Sequence, residues 1–462
     1  MKANYILFFL CSSLIVLQIS LLCSCKKFID IGDPKDQLNS SLVFTDSSTA
    51  VTAINGIYAE MFTNRNLFSN SATTIYAGMS ADELYPYAPS LKDEFFKNEL
   101  SPANHINIDI NFWKPAYKFI YMANLALEKL ADSKELTSSL KLQLSSEAKL
   151  IRAFCYFNLV NLFGEVPLIT ESKYQVAAIA PRAPISKIYS QMIMDLTEAK
   201  AGLSATYLSG ERVRPNKWTA AALLARCYLY QGNWTDAEAE ASSVINDGTY
   251  QLEADLNKVF LKGSPETIWQ LKPVRPGFNT YEGIEFVPST ALTIPTYLAT
   301  TGLLNAFEAT DNRKTAWLKS RVFNGSTLYF PYKYKIASST VLTEYLVMFR
   351  LAEIYLTQAE ACAQQNKVSQ AKIAINKIRN RAGLANISAA DKASLLLAVE
   401  QERRIELFAE WGHRWFDLKR TGRADALLGP LKGITWQPTD QLWPVPQPER
   451  NLNPLLTQNP GY

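Results

Sequence analysis

The chain has 462 residues, of which 48% are hydrophobic and 19% are charged, a balance that excludes intrinsic disorder. Its 47 basic and 43 acidic residues leave a net charge of +4, which gives no sign of a nucleic-acid partner. Aromatic residues are abundant, with 22 Tyr, 22 Phe and 9 Trp, and they can supply a ring-lined binding surface as well as a core.

Histidine is nearly absent, since only His105 and His413 occur. A zinc enzyme usually draws on two or three histidines, and a Ser-His-Asp triad needs one beside its nucleophile. The motifs GxSxG, HExxH, GxxxxGKS/T, GxGxxG and CxxC are missing as well. We therefore predict no catalytic residue, metal or cofactor, although a glycosidase built on two carboxylates would need no histidine.

The N-terminus has the features of an export signal. Lys2 precedes an apolar run over 6–22, which is shorter than the about 20 residues of a membrane-spanning helix. The run leads into LLCSC, where a small serine before Cys25 matches a bacterial lipoprotein cleavage box, whereas Cys23 would follow a bulky leucine. We predict that residues 1–24 are removed and that acyl chains on Cys25 anchor the protein in a membrane.

The remaining cysteines of the mature chain are Cys155, Cys227 and Cys362. Each lies in an apolar helical pattern, and their number is odd. This arrangement predicts three buried thiols rather than a disulfide framework.

The first half of the mature chain alternates helical and irregular patterns. Residues 25–48 are polar and predict an extended, lipidated lead-in, and 49–215 form the predicted N-terminal part. Within it, 65–110 lack helical periodicity and predict long loops with little regular structure. Apolar residues at helical spacing predict helices at 49–64, 113–131, 140–163 and 185–203.

The predicted C-terminal part, 216–462, contains two segments with the sequence pattern of a tetratricopeptide helix pair, 217–246 and 349–381. Small residues recur in both at a spacing of 12, as at Ala225 and Ala237, and let paired helices approach closely. Between them lies a loop-rich insertion at 250–345. A helix at 392–418 and an irregular Trp/Pro-rich tail at 436–462 complete the expected order. We expect these parts to form one intertwined globular domain.

Five segments carry a resemblance to a known family. They are CKKFID from Cys25, RAFCYFNLVNLFGEVPLI at 152–169, ERRIELFAEWGHRWFDLKRTGR at 402–423, LWPVPQPE at 442–449 and the closing QNPGY. In this order they resemble the SusD/RagB outer-membrane nutrient-binding lipoproteins.

The resemblance implies a mainly α fold. Scattered tetratricopeptide-like helix pairs would form a right-handed helical scaffold, covered on one face by long irregular loops with a few short strands. It further implies a cell-surface lipoprotein of the outer membrane that binds an oligosaccharide and passes it to a TonB-dependent transporter. The shared segments belong to the scaffold, so the resemblance transfers a role but no substrate.

The charged residues of 402–423 predict an ion-pair network rather than a catalytic site. Glu402, Glu406 and Glu410 share a predicted helix face, with Arg414 four residues after Glu410 and His413 beside it. The same segment carries large apolar residues, so we interpret it as a packed structural element. We also assign six tryptophans to the core: Trp113, Trp218, Trp234, Trp269, Trp436 and Trp443.

Two aromatic loops, 72–90 and 275–335, are the predicted ligand surface. A sugar ring has one face rich in C–H bonds and a rim of hydroxyls, so it binds to flat aromatic faces flanked by carboxylates, amides and arginines. Both loops supply that mixture. The candidate ligand-binding residues are Tyr76, Asp82, Tyr85, Tyr87, Phe278, Tyr281, Tyr297 and Trp317.

The function predicted from these observations is glycan capture without catalysis. Three alternatives stay open: a peptide-binding member of the same family, a surface glycoside hydrolase, and a purely structural interaction protein. Scattered helices disfavour the hydrolase, whose usual folds repeat strands. Long Tyr-rich insertions disfavour the pure scaffold.

Overall fold

The computed structural model describes residues 44–103 and 105–462. The predicted signal peptide, Cys25 and most of the lead-in therefore lie outside the described residues. The fold is mainly helical, as predicted. The long helices are α1 (Ser47–Thr63), α2 (Lys114–Asp132), α3 (Ser138–Phe163), α4 (Ile185–Gly202), α5 (Lys217–Tyr230), α6 (Trp234–Asn246), α7 (Leu351–Gln364), α8 (Val368–Arg381), α9 (Lys392–Glu406), α10 (His413–Arg420) and α11 (Ala424–Lys432).

Shorter elements lie between the long helices. The short helical turns are Thr73–Ala77, Gly78–Ser80, Asp93–Lys97, His105–Ile108, Asp109–Trp113, Tyr174–Ala177, Tyr281–Phe286, Thr301–Ala306, Asn312–Trp317, Gly433–Thr435, Pro438–Gln441 and Gln447–Leu452. The strands are β1 (Leu84–Pro86), β2 (Val166–Pro167), β3 (Arg182–Ala183), β4 (Thr267–Leu271), β5 (Tyr297–Ala299), β6 (Leu318–Phe323), β7 (Ser326–Pro331) and β8 (Leu346–Arg350). They pair antiparallel as β1–β5, β2–β3, β4–β8 and β6–β7.

Side-chain caps fix where several helices begin. Asp46 accepts hydrogen bonds from the backbone N–H groups of Ser48 and Thr49, at 2.8 and 3.1 Å, at the start of α1. Asn216 at α5 and Asp391 at α9 each form a reciprocal capping box with the third helical residue. These caps satisfy N–H groups that have no partner within the helix.

The helices stack in chain order, with α2 on α3, α3 on α4, α4 on α5, α5 on α6 and α6 on α7. The two predicted helix pairs are confirmed as α5–α6 and α7–α8. Small residues predicted to lie where the paired helices meet, such as Ala225 and Ala237, are fully buried. The division into parts 49–215 and 216–462 stays a prediction, and α4 packs on α5 across that boundary.

The loop-rich insertion and the segment before α2 together build one irregular face. β1, from the early loop, pairs with β5 of the insertion, and β5 packs beside β7. The prediction of little regular structure over 65–110 is only partly right, because Thr73–Ala77 form a π-helical turn whose residues are all buried. Burial on every side supplies contacts that periodicity in the sequence does not reveal.

The predicted helix at 392–418 is wrong as a single element, since α9 ends at Glu406 and α10 begins at His413. Ala409, Trp411 and Gly412 between them have positive φ angles. Gly412 lies against the 73–77 turn so closely that an added Cβ would lie 2.6 Å from the Cβ of Ala77. Tertiary packing therefore overrides the helical propensity of this segment.

The predicted ion-pair network is confirmed, with a different geometry from the one expected. Arg350 at the end of β8 binds Glu266 and Glu406 through Nη1, at 2.8 and 2.5 Å, and Glu410 through Nε at 2.8 Å. Glu410 pairs with Arg350 and Lys333, not with Arg414 four residues later. Buried charges need such partners, so the network fixes how β8, α8 and α9 meet.

The buried thiols and most of the core tryptophans are confirmed. Cys155, Cys227 and Cys362 are free and buried. Trp218 and Trp234 are half-buried, whereas the other four predicted core tryptophans are buried. Within residues 44–103 and 105–462, the helices are too short or too polar to cross a membrane.

Candidate functional site

A cavity of about 770 Å³ opens on the irregular face, between β1, the Asp93–Lys97 turn and α11. We call it the Asp82 pocket. Its polar lining residues include Asp82, Lys97, Glu99, Thr300, Thr301, Arg404, Arg414 and Lys432, and its apolar and aromatic ones include Tyr85, Phe96, Leu427 and Leu431. This volume lies in the range of small-molecule sites.

Asp82 and two arginines form the polar wall of the pocket. Arg414 donates from Nε to Oδ1 of Asp82 at 2.8 Å, and Arg404 donates from Nη2 to Oδ2 at 2.6 Å. Burial would raise the pKa of Asp82, but the hydrogen bonds and charges of Arg414 and Arg404 outweigh burial and hold it below its ordinary value. The carboxylate is thus ionised and fixed in place near neutral pH.

The interruption between α9 and α10 brings the two arginines to one carboxylate. Arg404 lies near the end of α9 and Arg414 near the start of α10. The backbone between α9 and α10 is held by the early loop, because the backbone N–H of Trp411 donates to Oγ1 of Thr74 at 3.1 Å. The wall of the pocket is therefore assembled from segments more than 300 residues apart.

Two aromatic rings also line the pocket. The ring centroids of Tyr85 and Phe96 lie 6.3 Å apart, with their planes inclined by 50°. Both side chains are half-buried, so each ring keeps an exposed part. Beyond the pocket, Tyr87 is 38% exposed and meets Phe323 edge to face, with 6.1 Å between ring centroids. Aromatic surface thus continues outward from the cavity.

Lys432 closes the pocket at the end of α11. Its Nζ donates to the carbonyl oxygens of Met79 and Phe96, at 2.9 and 2.6 Å, and lies 4.5 Å from the centre of the Phe96 ring. Burial lowers the pKa of Lys432 to about 7. Beneath the wall, burial and the neighbouring Asp82 charge raise the pKa of Glu83 to about 8, so this carboxyl is largely protonated at neutral pH.

Four of the predicted ligand residues lie outside the pocket, and the structure encloses their rings. Tyr76, Tyr281, Tyr297 and Trp317 are at most 1% exposed. Tyr281 donates to the carbonyl of Thr63 at 2.9 Å, and Trp317 donates from Nε1 to the carbonyl of Leu256 at 2.8 Å. A ring packed on both faces cannot stack on a sugar.

The other four predicted residues are partly brought together. Asp82 and Tyr85 line the pocket, and Tyr87 lies next along the chain from β1. Phe278 is half-buried beneath the guanidinium of Arg275, 5.0 Å away, and is not part of the pocket lining. Asp82 and Tyr85 remain proposals as ligand contacts.

Sequence reasoning missed Phe96, Arg404, Arg414 and Lys432. The arginines stood in the segment interpreted as scaffold, and they serve both the scaffold and the pocket wall. Neither Phe96 nor Lys432 has a distinguishing spacing in the sequence. Within the part of the chain that the structure covers, no cluster of three or more His, Cys, Asp or Glu side chains could hold a metal ion.

A second cavity of roughly 690 Å³ lies on the other side of α9. It is lined mostly by residues of long helices, with Tyr230, Trp234, Leu397 and Arg403 among its walls. Glu400 lines this cavity while binding Arg414 of the Asp82 pocket at 3.3 Å. The Asp82 pocket is the stronger candidate because loops with varied side chains usually carry binding sites on a rigid scaffold.

Two family models match separate parts of the chain. The model described as "Starch-binding associating with outer membrane" matches residues 27–229, and the model described as "SusD family" matches residues 308–462. The chain belongs to the SusD/RagB family. This is a family of carbohydrate-binding proteins associated with the outer membrane.

Curated relatives of this SusD/RagB protein align over nearly its whole length. SusD-like protein P2 of Formosa agariphila is 28% identical over 491 residues, covering 91% of this chain and 93% of the relative. SusD-like protein P25 of the same organism is 24% identical, covering 95% and 97%.

Solved structures resemble it equally broadly. A laminarin-binding SusD-like protein is 26% identical with a TM-score of 0.76, covering 90% of this chain and 99% of that one. Surface glycan-binding protein A from Bacteroides fluxus, at 21% identity, has a TM-score of 0.76 and covers 90% and 100%. At that identity the second match shows a shared fold only.

Proposed function

We propose that this protein is a lipid-anchored, cell-surface protein that captures a glycan in the Asp82 pocket and delivers it, uncleaved, to a TonB-dependent outer-membrane transporter. The observation that carries the proposal is the pairing of the Tyr85 and Phe96 rings with the fixed Asp82–arginine wall in one cavity. Membership of a carbohydrate-binding family supports it.

The chemistry of the pocket suits a sugar ring. The exposed parts of Tyr85 and Phe96 offer flat surfaces to the C–H face of a pyranose. Arg404 and the hydroxyl group of Thr301 also line the cavity, and both can form hydrogen bonds with hydroxyls at the rim of the ring. Because Asp82 already orders both guanidiniums, little side-chain entropy is lost on binding.

The state of the carboxyl groups supports capture without cleavage. A glycosidase needs an acid and a second carboxylate about 5–9.5 Å apart, both facing the bond that breaks. Both oxygens of Asp82 accept hydrogen bonds from arginines. Glu83 is 1% exposed and is not part of the pocket lining, so Glu99, exposed to solvent, is the other carboxylate there.

The proposal of a lipid anchor is based on the sequence alone. Acyl chains on Cys25 would hold the protein at the outer membrane, with residues 26–43 linking them to the first described residue. A ligand held by stacking and a few hydrogen bonds can also be released, which delivery to a transporter requires.

Purified protein incubated with glycans tests the proposal. Laminarin is a suitable first neutral probe, since a structural neighbour is named for binding it. Retardation in glycan-containing native gels, without new reducing ends, is the expected result. Co-purification of a large membrane barrel with the tagged, lipidated protein tests delivery. Release of reducing ends, or the absence of any barrel partner, would contradict the corresponding half of the proposal.

A further inference from the structure

The Asp82 pocket carries more positive than negative charge. Its lining has four cationic side chains, Lys97, Arg404, Arg414 and Lys432, but only two carboxylates, Asp82 and Glu99. Asp82 is already bound to both arginines. The Asp82 carboxylate is therefore already engaged, whereas the Lys432 ammonium group hydrogen-bonds to carbonyl oxygens.

Lys432 is the clearest case. Its hydrogen bonds go to the neutral carbonyl oxygens of Met79 and Phe96, and no carboxylate of the described residues lies within ion-pair distance. An ammonium group that loses hydration without gaining a negative partner is destabilised. The depressed pKa of Lys432 has this cause, since burial is its largest contribution.

Arg404 is only partly compensated. Its Nη2 binds Asp82, whereas its buried Nε has no hydrogen-bond partner among the described residues. Burial lowers the pKa of Arg404 as well, despite the Asp82 carboxylate beside it. Arg414, in contrast, forms ion pairs with both Asp82 and Glu400. These carboxylates outweigh burial and raise the pKa of Arg414. The deficit of negative charge is thus at Arg404 and Lys432, both of which line the pocket.

We propose that the pocket selects acidic saccharides, whose carboxylate or sulfate group lies between Arg404 and Lys432 while a sugar ring stacks on Tyr85 or Phe96. This inference rests on the proposed glycan capture and names the substrate class of that site. An anionic oxygen there accepts charge-assisted hydrogen bonds and supplies the missing counter-charge. Lys97, exposed at the rim, attracts the anion as it approaches.

Pairs of probes that share a sugar backbone and differ in their acidic groups test whether those groups increase affinity. Oligogalacturonate is compared with the same oligosaccharide after carboxyl reduction, and λ-carrageenan fragments with their desulfated form, by calorimetric titration at low ionic strength. We expect at least one acidic probe to bind about tenfold tighter than its neutral partner, and added salt to reduce the difference. The two pairs distinguish carboxylate from sulfate as the recognised group.

Variants locate the effect. Lys97→Met and Lys432→Met should each weaken binding of the acidic probe by about threefold to tenfold and thereby reduce the difference in affinity between it and its neutral partner. Lys97 is exposed, so Lys97→Met keeps the test valid if Lys432→Met fails to fold. Lys173→Met, whose side chain is 74% exposed and which lies outside the pocket lining, is the matched control.

The possible outcomes distinguish acidic selectivity from the proposed glycan capture. Equal or tighter binding of the neutral probes, or of laminarin alone, would overturn acidic selectivity while supporting glycan capture. Acidic binding that is unaffected by both lysine variants would overturn the assignment to this pocket. Retention of none of the acidic or neutral probes would count against both.

Discussion

Asp82 and Arg414 are 332 positions apart in the chain, yet Nε of Arg414 donates to Oδ1 of Asp82 at 2.8 Å. Arg404 binds the other carboxylate oxygen. One side chain from the early loop therefore fixes the ends of α9 and α10 and builds a wall of the pocket at the same time. Stability and ligand binding are coupled at this residue.

Asp82→Ala should lower the free energy of unfolding by about 3 kcal/mol, because it leaves the largely buried Arg404 without its ion-pair partner and Arg414 with Glu400 alone. Urea titration followed by circular dichroism measures it. Glu60→Ala, which breaks an exposed pair with Lys118, is the control and should cost less than about 1 kcal/mol. Equal effects for the two variants would show that the Asp82 ion pairs stabilise the protein no more than an exposed pair does.

Tyr85→Ala should weaken glycan binding by about tenfold without changing the unfolding midpoint, since its half-buried ring contributes more to the pocket than to the core. Calorimetric titration and thermal unfolding measure the two quantities. Tyr121→Ala, at a 48% exposed tyrosine on α2, serves as the control for removing an exposed ring. Undiminished affinity in Tyr85→Ala would remove this ring from the binding surface.

Trp317→Ala should behave in the opposite way and cost about 4 kcal/mol of stability, because its ring is fully buried. The substitution also removes the Nε1 hydrogen bond to Leu256 and the ring beneath Lys333. Chemical denaturation gives the value, and Tyr174→Ala, at a 77% exposed ring, is expected to change stability by no more than about 0.5 kcal/mol. A stable Trp317→Ala protein would contradict the burial of this side chain.

The contrast between Tyr85 and Trp317 marks the limit of what the sequence could predict. Helices were predictable wherever apolar residues recur at helical spacing, as in α3, and small residues at matching offsets revealed the helix pairs. In the irregular loops, an enclosed aromatic side chain and an exposed one have the same sequence signature. Only the fold separates them.

The pocket residues that the sequence did not reveal were missed for a related reason. Arg404 and Arg414 come from a segment in which every charged residue could be assigned to scaffold ion pairs. The interruption at Leu407–Gly412, which turns both arginines toward Asp82, is imposed by contacts with the distant 73–77 turn. Local propensity in 392–418 contains no trace of those contacts, so a continuous helix was the natural prediction.

Glu282→Gln should stabilise the protein at alkaline pH. Glu282 is buried, neither of its carboxyl oxygens has a hydrogen-bond partner among the described residues, and burial raises its pKa to about 8. The folded state thus holds a proton that the unfolded state releases above about pH 4.5, so stability falls as the pH rises from there toward 8. An amide, which has no proton to lose, removes that dependence.

Urea unfolding at about pH 5 and about pH 9 checks the Glu282 prediction. The variant should exceed the wild type in stability by more at the higher pH. Glu253→Gln, at a half-buried glutamate, controls for loss of a charge. A gain that is equal at both values, or larger at the lower one, would show that Glu282 titrates normally in the folded protein.

Cys25→Ala should move the protein from the membrane fraction to the soluble periplasmic or extracellular fraction, because no acyl chain can then be attached. Immunoblotting of fractionated cells measures the distribution. Cys23→Ala, two residues away in the predicted signal, should leave the protein membrane-bound. Membrane retention of Cys25→Ala would refute the assignment of this cysteine as the lipid attachment site.

A crystal structure of the protein soaked with a glycan that it retains in solution would show both where the ligand binds and whether it stays intact. We expect an intact saccharide in the Asp82 pocket, with a ring within about 4 Å of Tyr85 or Phe96 and hydroxyl or acidic groups directed at Arg404. A saccharide bound in the second cavity beyond α9, or one found hydrolysed, would contradict it.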